Sequence, residues 1–130
     1  MPDSKDLRRW IQYAKEDYEA AMLILLSHPR NASFDFQQSA EKYLKAVLIA
    51  QGLEPNRTHD LVVLLLTLDA NLTQSSRVVG AAQLLSFVGS RVRYPDRFED
   101  IGVEEAQALA EATLVLHNFA QERLVLLGIN

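Results

Sequence analysis

Apolar residues return at every third or fourth position in five separate segments of this chain, and no segment shows sustained strand alternation between turn signals. That pattern calls for helices packed against one another by one face each. In the first segment the stripe is Leu7, Trp10, Ile11, Ala14, Tyr18, Ala21 and Leu25, opened by Asp3 or Ser4 as a cap and closed at His28-Pro29. "RNAS" reads as a turn, so the second helix is expected from about Ser33 to Gln51, with Gly52 as its stop. Thr58 is expected to cap a third, shorter helix that carries Leu61, Leu64, Leu65 and Leu68 on one side. "DANLTQSS" is turn-like, and a fourth helix follows over roughly Ser76 to Val92, with Val79, Ala82, Leu85 and Val88 or Gly89 inward. After the loop "RYPDRFEDIG", the last helix starts near Val103 with Glu104 and Glu105 in its first turn. Its buried stripe is Ala106, Leu109, Ala110, Thr113, Leu114, His117, Ala120 and Leu124, and Gly128 closes it.

The expected fold is therefore an all-α bundle with antiparallel neighbours and short loops, in one domain spanning 1–130. The 48% hydrophobic content is enough for a packed core. "LVVLLLTL", Leu61 to Leu68, is apolar almost all round, so that helix is either fully internal or covered on a second side by another subunit. No apolar run reaches the length of a membrane helix. The first residues lack the apolar stretch of a signal peptide, and there are no cysteines, so disulfides and thiolate zinc sites are excluded. Both observations favour the cytoplasm. The net charge of −4 argues against a general nucleic-acid coat, although Arg91, Arg93 and Arg97 form a local cluster suited to bidentate anion contacts.

Signatures of chemistry are sparse. Neither common phosphate-cradling glycine loop occurs, nor an HExxH, nor a Glu-x-x-His pair for a di-iron site. No metal site is expected. His28 ends a helix and faces solvent, and His117 lies on an apolar stripe as a buried, hydrogen-bonded residue. His59 stands between Thr58 and Asp60 at a helix start, where it serves either a capping arrangement or contact with an anion at free backbone N–H groups. Within "QQSAEKYLKA", a polar stripe of Gln38, Glu41, Lys42 and Lys45 runs beside the apolar Ala40, Tyr43, Leu44 and Val47. Glu41 and Lys45 form an i,i+4 pair in the favourable order.

"FDFQQSAEKYLKAVLIAQGLEPNRTHDLVVLL" resembles the core signature of HEPN domains, in which a QQ-x-x-E-K-x-L-K-A helix is followed by a loop and a T-H-D-L helix start. "RYPD", Arg93 to Asp96, matches a further element of that family, and Trp10, Ala14 and Asp17 fit its first helix. The resemblance implies a five-helix antiparallel up-and-down bundle, usually a homodimer, often encoded beside a small nucleotidyltransferase in a toxin–antitoxin-like module. The family name records a nucleotide-binding role. The resemblance thus implies nucleotide as a ligand and no other cofactor.

Some branches of the family are metal-independent ribonucleases marked by an arginine, four to six residues, and a histidine. Here the positions five to seven residues before His28, His59 and His117 hold no arginine, so ribonuclease activity and an RNA partner become the lesser reading. A plain dimerisation scaffold is a third. On the leading reading, Gln38, Glu41, Lys42, Lys45, His59, Asp60, Arg93 and Tyr94 converge on one polar cleft. Lys42, Lys45 and Arg93 contact an anion there, Tyr94 stacks on a base, and His59 donates a hydrogen bond. The competing expectation is that the same residues form an ion network holding the helices together.

Overall fold

The computed structural model describes residues 4–54, 57–73, 76–93 and 100–129, with side chains described for 6–54, 57–73, 76–87 and 100–129. Five helices follow in order: α1 (Ser4–Ile24), α2 (Pro29–Ala50), α3 (Leu61–Leu68), α4 (Arg77–Arg93) and α5 (Val103–Leu126). Among the described residues there is no strand. No described helix is long and apolar enough to cross a membrane.

α2 is the centre of the bundle and packs against each of the other four helices. Its apolar stripe supplies much of the core: Phe36, Ala40, Leu44, Val47 and Leu48 are wholly buried and Tyr43 nearly so. Ala14 and Ala21 of α1, and Leu25 just past its end, join the same core, as do Leu109, Leu116 and Ala120 of α5. Small residues along α1 allow that helix to lie close to α2.

α2 begins four residues before the expected Ser33. Pro29 occupies its first position, where a missing N–H costs nothing and φ is already helical. Ala32 N–H bonds to the His28 carbonyl at 2.9 Å, so "RNAS" is the first turn of a helix. Ser33, well suited to a cap, instead donates its hydroxyl to the Pro29 carbonyl at 2.7 Å.

Both expected glycine stops are present. Gly52 has φ +78° and Gly128 φ +81°. In each case the following residue's N–H reaches back to close the helix, Leu53 to Leu48 and Ile129 to Leu124, each at 2.9 Å.

Asp60, rather than Thr58, caps α3: its Oδ1 accepts from the N–H groups of Val62 at 2.9 Å and Val63 at 3.4 Å. Thr58 Oγ1 in turn accepts from the Asp60 N–H. α3 is not fully internal, since Val63 and Leu66 remain 43% and 41% exposed. On α5 the stripe runs through Leu116, with Leu114 turned outward. Arg123 ties α5 to the end of α3 by donating to Asp69 at 2.6 Å while lying over the Phe119 ring.

Candidate functional site

Because α2 is surrounded, its polar stripe has little water to face. Glu41 is 5% exposed and Lys45 8%. A carboxylate in that position requires partners, and Glu41 has three. Oε1 accepts from Gln37 Nε2 at 3.2 Å and from His59 Nδ1 at 2.9 Å, and Oε2 accepts from Lys45 Nζ at 3.1 Å. Gln37 Nε2 also reaches the His59 carbonyl at 3.3 Å, and Gln37 Oε1 accepts from Gln38 Nε2 at 2.9 Å. One turn of α2 is thereby bound to the connection entering α3.

The carboxylate can only accept, so Nδ1 of His59 carries the proton. Its other nitrogen, Nε2, is then the free one. The His59 side chain is 58% exposed, so a buried glutamate orients an imidazole that presents one nitrogen outward. Neutral, that nitrogen accepts a hydrogen bond; protonated, it donates one. Arg57, two residues earlier on the same connection, is exposed and has no ion pair among the described residues. The sequence reading missed it, although "NRTHD" places the cation beside the histidine. It also missed Gln37, which is four residues before Glu41 and thus on the same face.

Lys42 points elsewhere. Its ammonium meets Asp17 of α1 at 2.5 Å. Asp35 sits beside the same pair: burial first, and then the charge of Asp17, raise its pKa, while Lys42 lowers it. Lys42 and Lys45 therefore serve different seams of the bundle, α1–α2 and α2–α3.

Gln38, Glu41, Lys45, His59 and the adjacent Asp60 are grouped in space, and Lys42 is not with them. Arg93 ends α4 with its side chain outside the described residues, and Tyr94 lies outside them altogether, as do the Arg91 and Arg97 side chains. The N–H groups expected to be open at the start of α3 are taken. Asp60 holds two, and Leu61 N–H donates to Ser86 Oγ of α4 at 3.0 Å. Among the described residues no group of three or more potential ligands is placed to hold a metal ion.

The two other histidines lie apart from this site. His28 is exposed, with Nδ1 2.9 Å from Ser27 Oγ. His117 is buried, its Nε2 2.7 Å from Ser39 Oγ, with its ring tilted against Tyr43 and Tyr18. Ser39 gives its single proton to the Ala14 carbonyl at 2.5 Å, so His117 Nε2 must be the donor toward Ser39. Burial, helped by the charge of Lys15, lowers the His117 pKa to about 4.

The five-helix scaffold that carries these side chains is paralleled in known proteins. The model of the HEPN domain matches residues 7–123. This chain belongs to the HEPN family. The crystal structure of TT1696 from Thermus thermophilus superposes with a TM-score of 0.77 at 25% identity, covering 91% of this chain and 98% of that one. The structure of ST0689, described as an archaeal HEPN homologue, gives 0.73 at 25% identity, covering 91% and 97%. No curated protein matches.

Within the HEPN fold seen here, the signature helix is α2 and the T-H-D-L start is the cap of α3. Glu41 and His59 are thus the physical link between the two motifs.

Proposed function

We propose that this HEPN protein is a noncatalytic module of a toxin–antitoxin-like pair, acting in the cytoplasm as a homodimer. It binds a nucleotide or a nucleotidyltransferase partner at the face where His59 and Arg57 emerge. The observation that carries the reading is the Glu41–His59 pair: a buried carboxylate fixes an exposed imidazole beside an exposed arginine on one short connection. A guanidinium and an imidazole suit phosphate oxygens. Lys45 supports the site from below by balancing the charge of Glu41, and its ammonium is committed there. Gln38 and Asp60 position the same connection.

The oriented imidazole also favours one other reading, a metal-independent ribonuclease with His59 as base. RNA incubated with excess protein and chelator separates the two. Intact RNA is expected. Cleavage that disappears in His59→Ala would make the protein an enzyme. Co-expression with a neighbouring nucleotidyltransferase tests the partner side, with co-purification lost in an Arg57→Glu, His59→Ala double variant as the expected result.

A further inference from the structure

A second concavity lies between α1 and α5. The two helices run antiparallel, with Ile11 beside Leu124 and Tyr18 against His117, and each packs on α2 far more than on the other. Between them is an open groove of about 800 Å³ with Tyr43 of α2 as its floor. Positions 41 and 43 stand about 200° apart around α2, so this floor faces away from the Glu41–His59 pair.

The α1 wall is a single helical stripe. Arg8, Ile11, Gln12, Lys15, Glu16 and Glu19 follow at three- and four-residue steps over about 16 Å. The α5 wall is Gln121, Leu124 and Val125, with Ile129 just past the helix end. Both walls continue beyond the groove as exposed apolar residues. Met22 shares a face with Ile11 and Lys15, and Leu26 follows in the turn after α1. Leu114 shares a face with Gln121 and Val125, and the antiparallel register sets it across from Met22. The valley therefore runs along most of α1. With α2 beneath, α1 and α5 form three sides of a four-helix arrangement whose fourth position is open.

Tyr43 is 3% exposed, and its hydroxyl has no hydrogen-bond partner among the described residues. Every fully buried side-chain nitrogen or oxygen described does have one, so the hydroxyl is the part of Tyr43 left open to the groove. The ring cannot swing away to find a partner, because it packs at 4.7 Å between centroids on His117, which Ser39 holds in turn. A hydroxyl held there is an unmet donor for whatever fills the groove.

The order of charges sets the direction of the occupant. Arg8 and Lys15 balance Glu16 and Glu19, so net charge selects nothing. Lys15 and Glu16 are neighbours at mid-groove, and Glu16 accepts from Gln12 at 3.2 Å. Arg8 at one end and Glu19 at the other make no ion pair among the described residues. An anion therefore belongs beside Arg8 and a cation beside Glu19. Helices carry acids most favourably toward the N-terminus and bases toward the C-terminus. A helix of that kind meets both demands when it lies parallel to α1.

We propose that the α1–α5 valley is the docking site of one amphipathic helix from a partner protein. That helix lies parallel to α1, with an acidic residue at Arg8 and a basic residue at Glu19. Its apolar face covers Ile11, Met22, Leu114 and Val125, and a side-chain amide or carboxylate midway along it accepts from the Tyr43 hydroxyl.

The test is fluorescence anisotropy of a labelled synthetic peptide of about 18 residues, long enough to hold a helix, titrated with the intact protein. It carries leucine at every third or fourth position, glutamate in the first turn, glutamine midway and lysine in the second half. Saturable binding to the parent is expected, and none for a peptide of the same composition with its leucines scrambled. Val125→Lys, an exposed position, should abolish binding with the fold intact by circular dichroism. Tyr43→Phe keeps the ring packing and should weaken binding about fivefold. An Arg8→Glu, Glu19→Lys double variant should weaken it about tenfold and should favour a peptide whose glutamate and lysine are exchanged. His59→Ala should bind the peptide as the parent does, which keeps this site separable from the nucleotide face. Absence of saturable binding to the parent, equal binding of the scrambled peptide, or unchanged affinity in Val125→Lys or in the charge-exchanged variant would each overturn the proposal. A fall in the solution mass of Val125→Lys by light scattering would also overturn it, assigning the valley to a second copy of this chain.

Discussion

At the scale of single residues, two buried polar side chains govern the behaviour of this bundle. His117 is held neutral, with its pKa depressed from 6.5 to about 4. The unfolded chain takes up a proton near pH 6.5 and the folded chain resists until about pH 4. The stabilisation is therefore complete above pH 6.5 and is lost as pH falls through that window, amounting to about 3 kcal/mol in total. Denaturant titrations at pH 7 and pH 4.5 should show this loss in the parent and a clearly smaller one in His117→Gln. Glu41 is the second. Replacing it with alanine strands the Lys45 ammonium in a mostly buried position and frees His59. A loss of about 3 kcal/mol is expected in urea melts, with Glu41→Gln less costly because its amide oxygen still accepts. Lys42→Ala removes a pair that is about 30% exposed and should cost no more than about 1 kcal/mol.

Elements show what a sequence pattern can and cannot carry. The Glu41–Lys45 pairing was legible because both partners share one helix and one face. Lys42 is one residue from Glu41 and looked equivalent. Its assignment to Asp17 depends on where α1 crosses α2, which no local spacing encodes. Helix ends behaved similarly. Gly52 and Gly128 announced themselves because left-handed φ values favour glycine. The start of α2 did not, because Pro29 ends one helix and opens the next within five residues of α1. Thr58 and Asp60 both fit the start of α3, and the carboxylate sits at the cap. Asp60→Ala should cost about 1 kcal/mol by thermal melting, while Thr58→Ala should cost less, since it supports the cap only through the Asp60 N–H. On α5, Leu114 and Leu116 compete for the interior, and the helix rotation that favours Leu116 is set by packing on α2 rather than by α5 alone.

For the whole molecule, the central position of α2 explains why a helix bearing a polar stripe on one face and apolar residues on another is buried on both. The family and the five-helix fold were legible from motifs on α2, the start of α3 and the "RYPD" stretch. The grouping of Gln38, Glu41, Lys45 and His59 needed the packing of α3 against α2. The apolar α3 sequence raised a choice between burial and a second subunit, and the exposed Val63 and Leu66 remove the first option. Leu84 and Phe87 of α4 are exposed as well, and the proposed homodimer would cover the outer face of α3. Light scattering should give twice the 14.6 kDa chain mass, and Leu66→Glu should halve it. A parent protein that stays monomeric at micromolar concentration would reject this face as the dimer contact. The claim on which the functional account rests is that the Glu41-oriented His59 and Arg57 form a nucleotide site, and calorimetric titration with ATP and the other nucleoside triphosphates tests it most directly. Saturable binding that is lost in His59→Ala and Arg57→Ala but kept in Lys42→Ala is the predicted result. No saturable heat with any nucleotide, or binding unchanged by His59→Ala, would contradict it and leave the α2–α3 network as a structural tie alone.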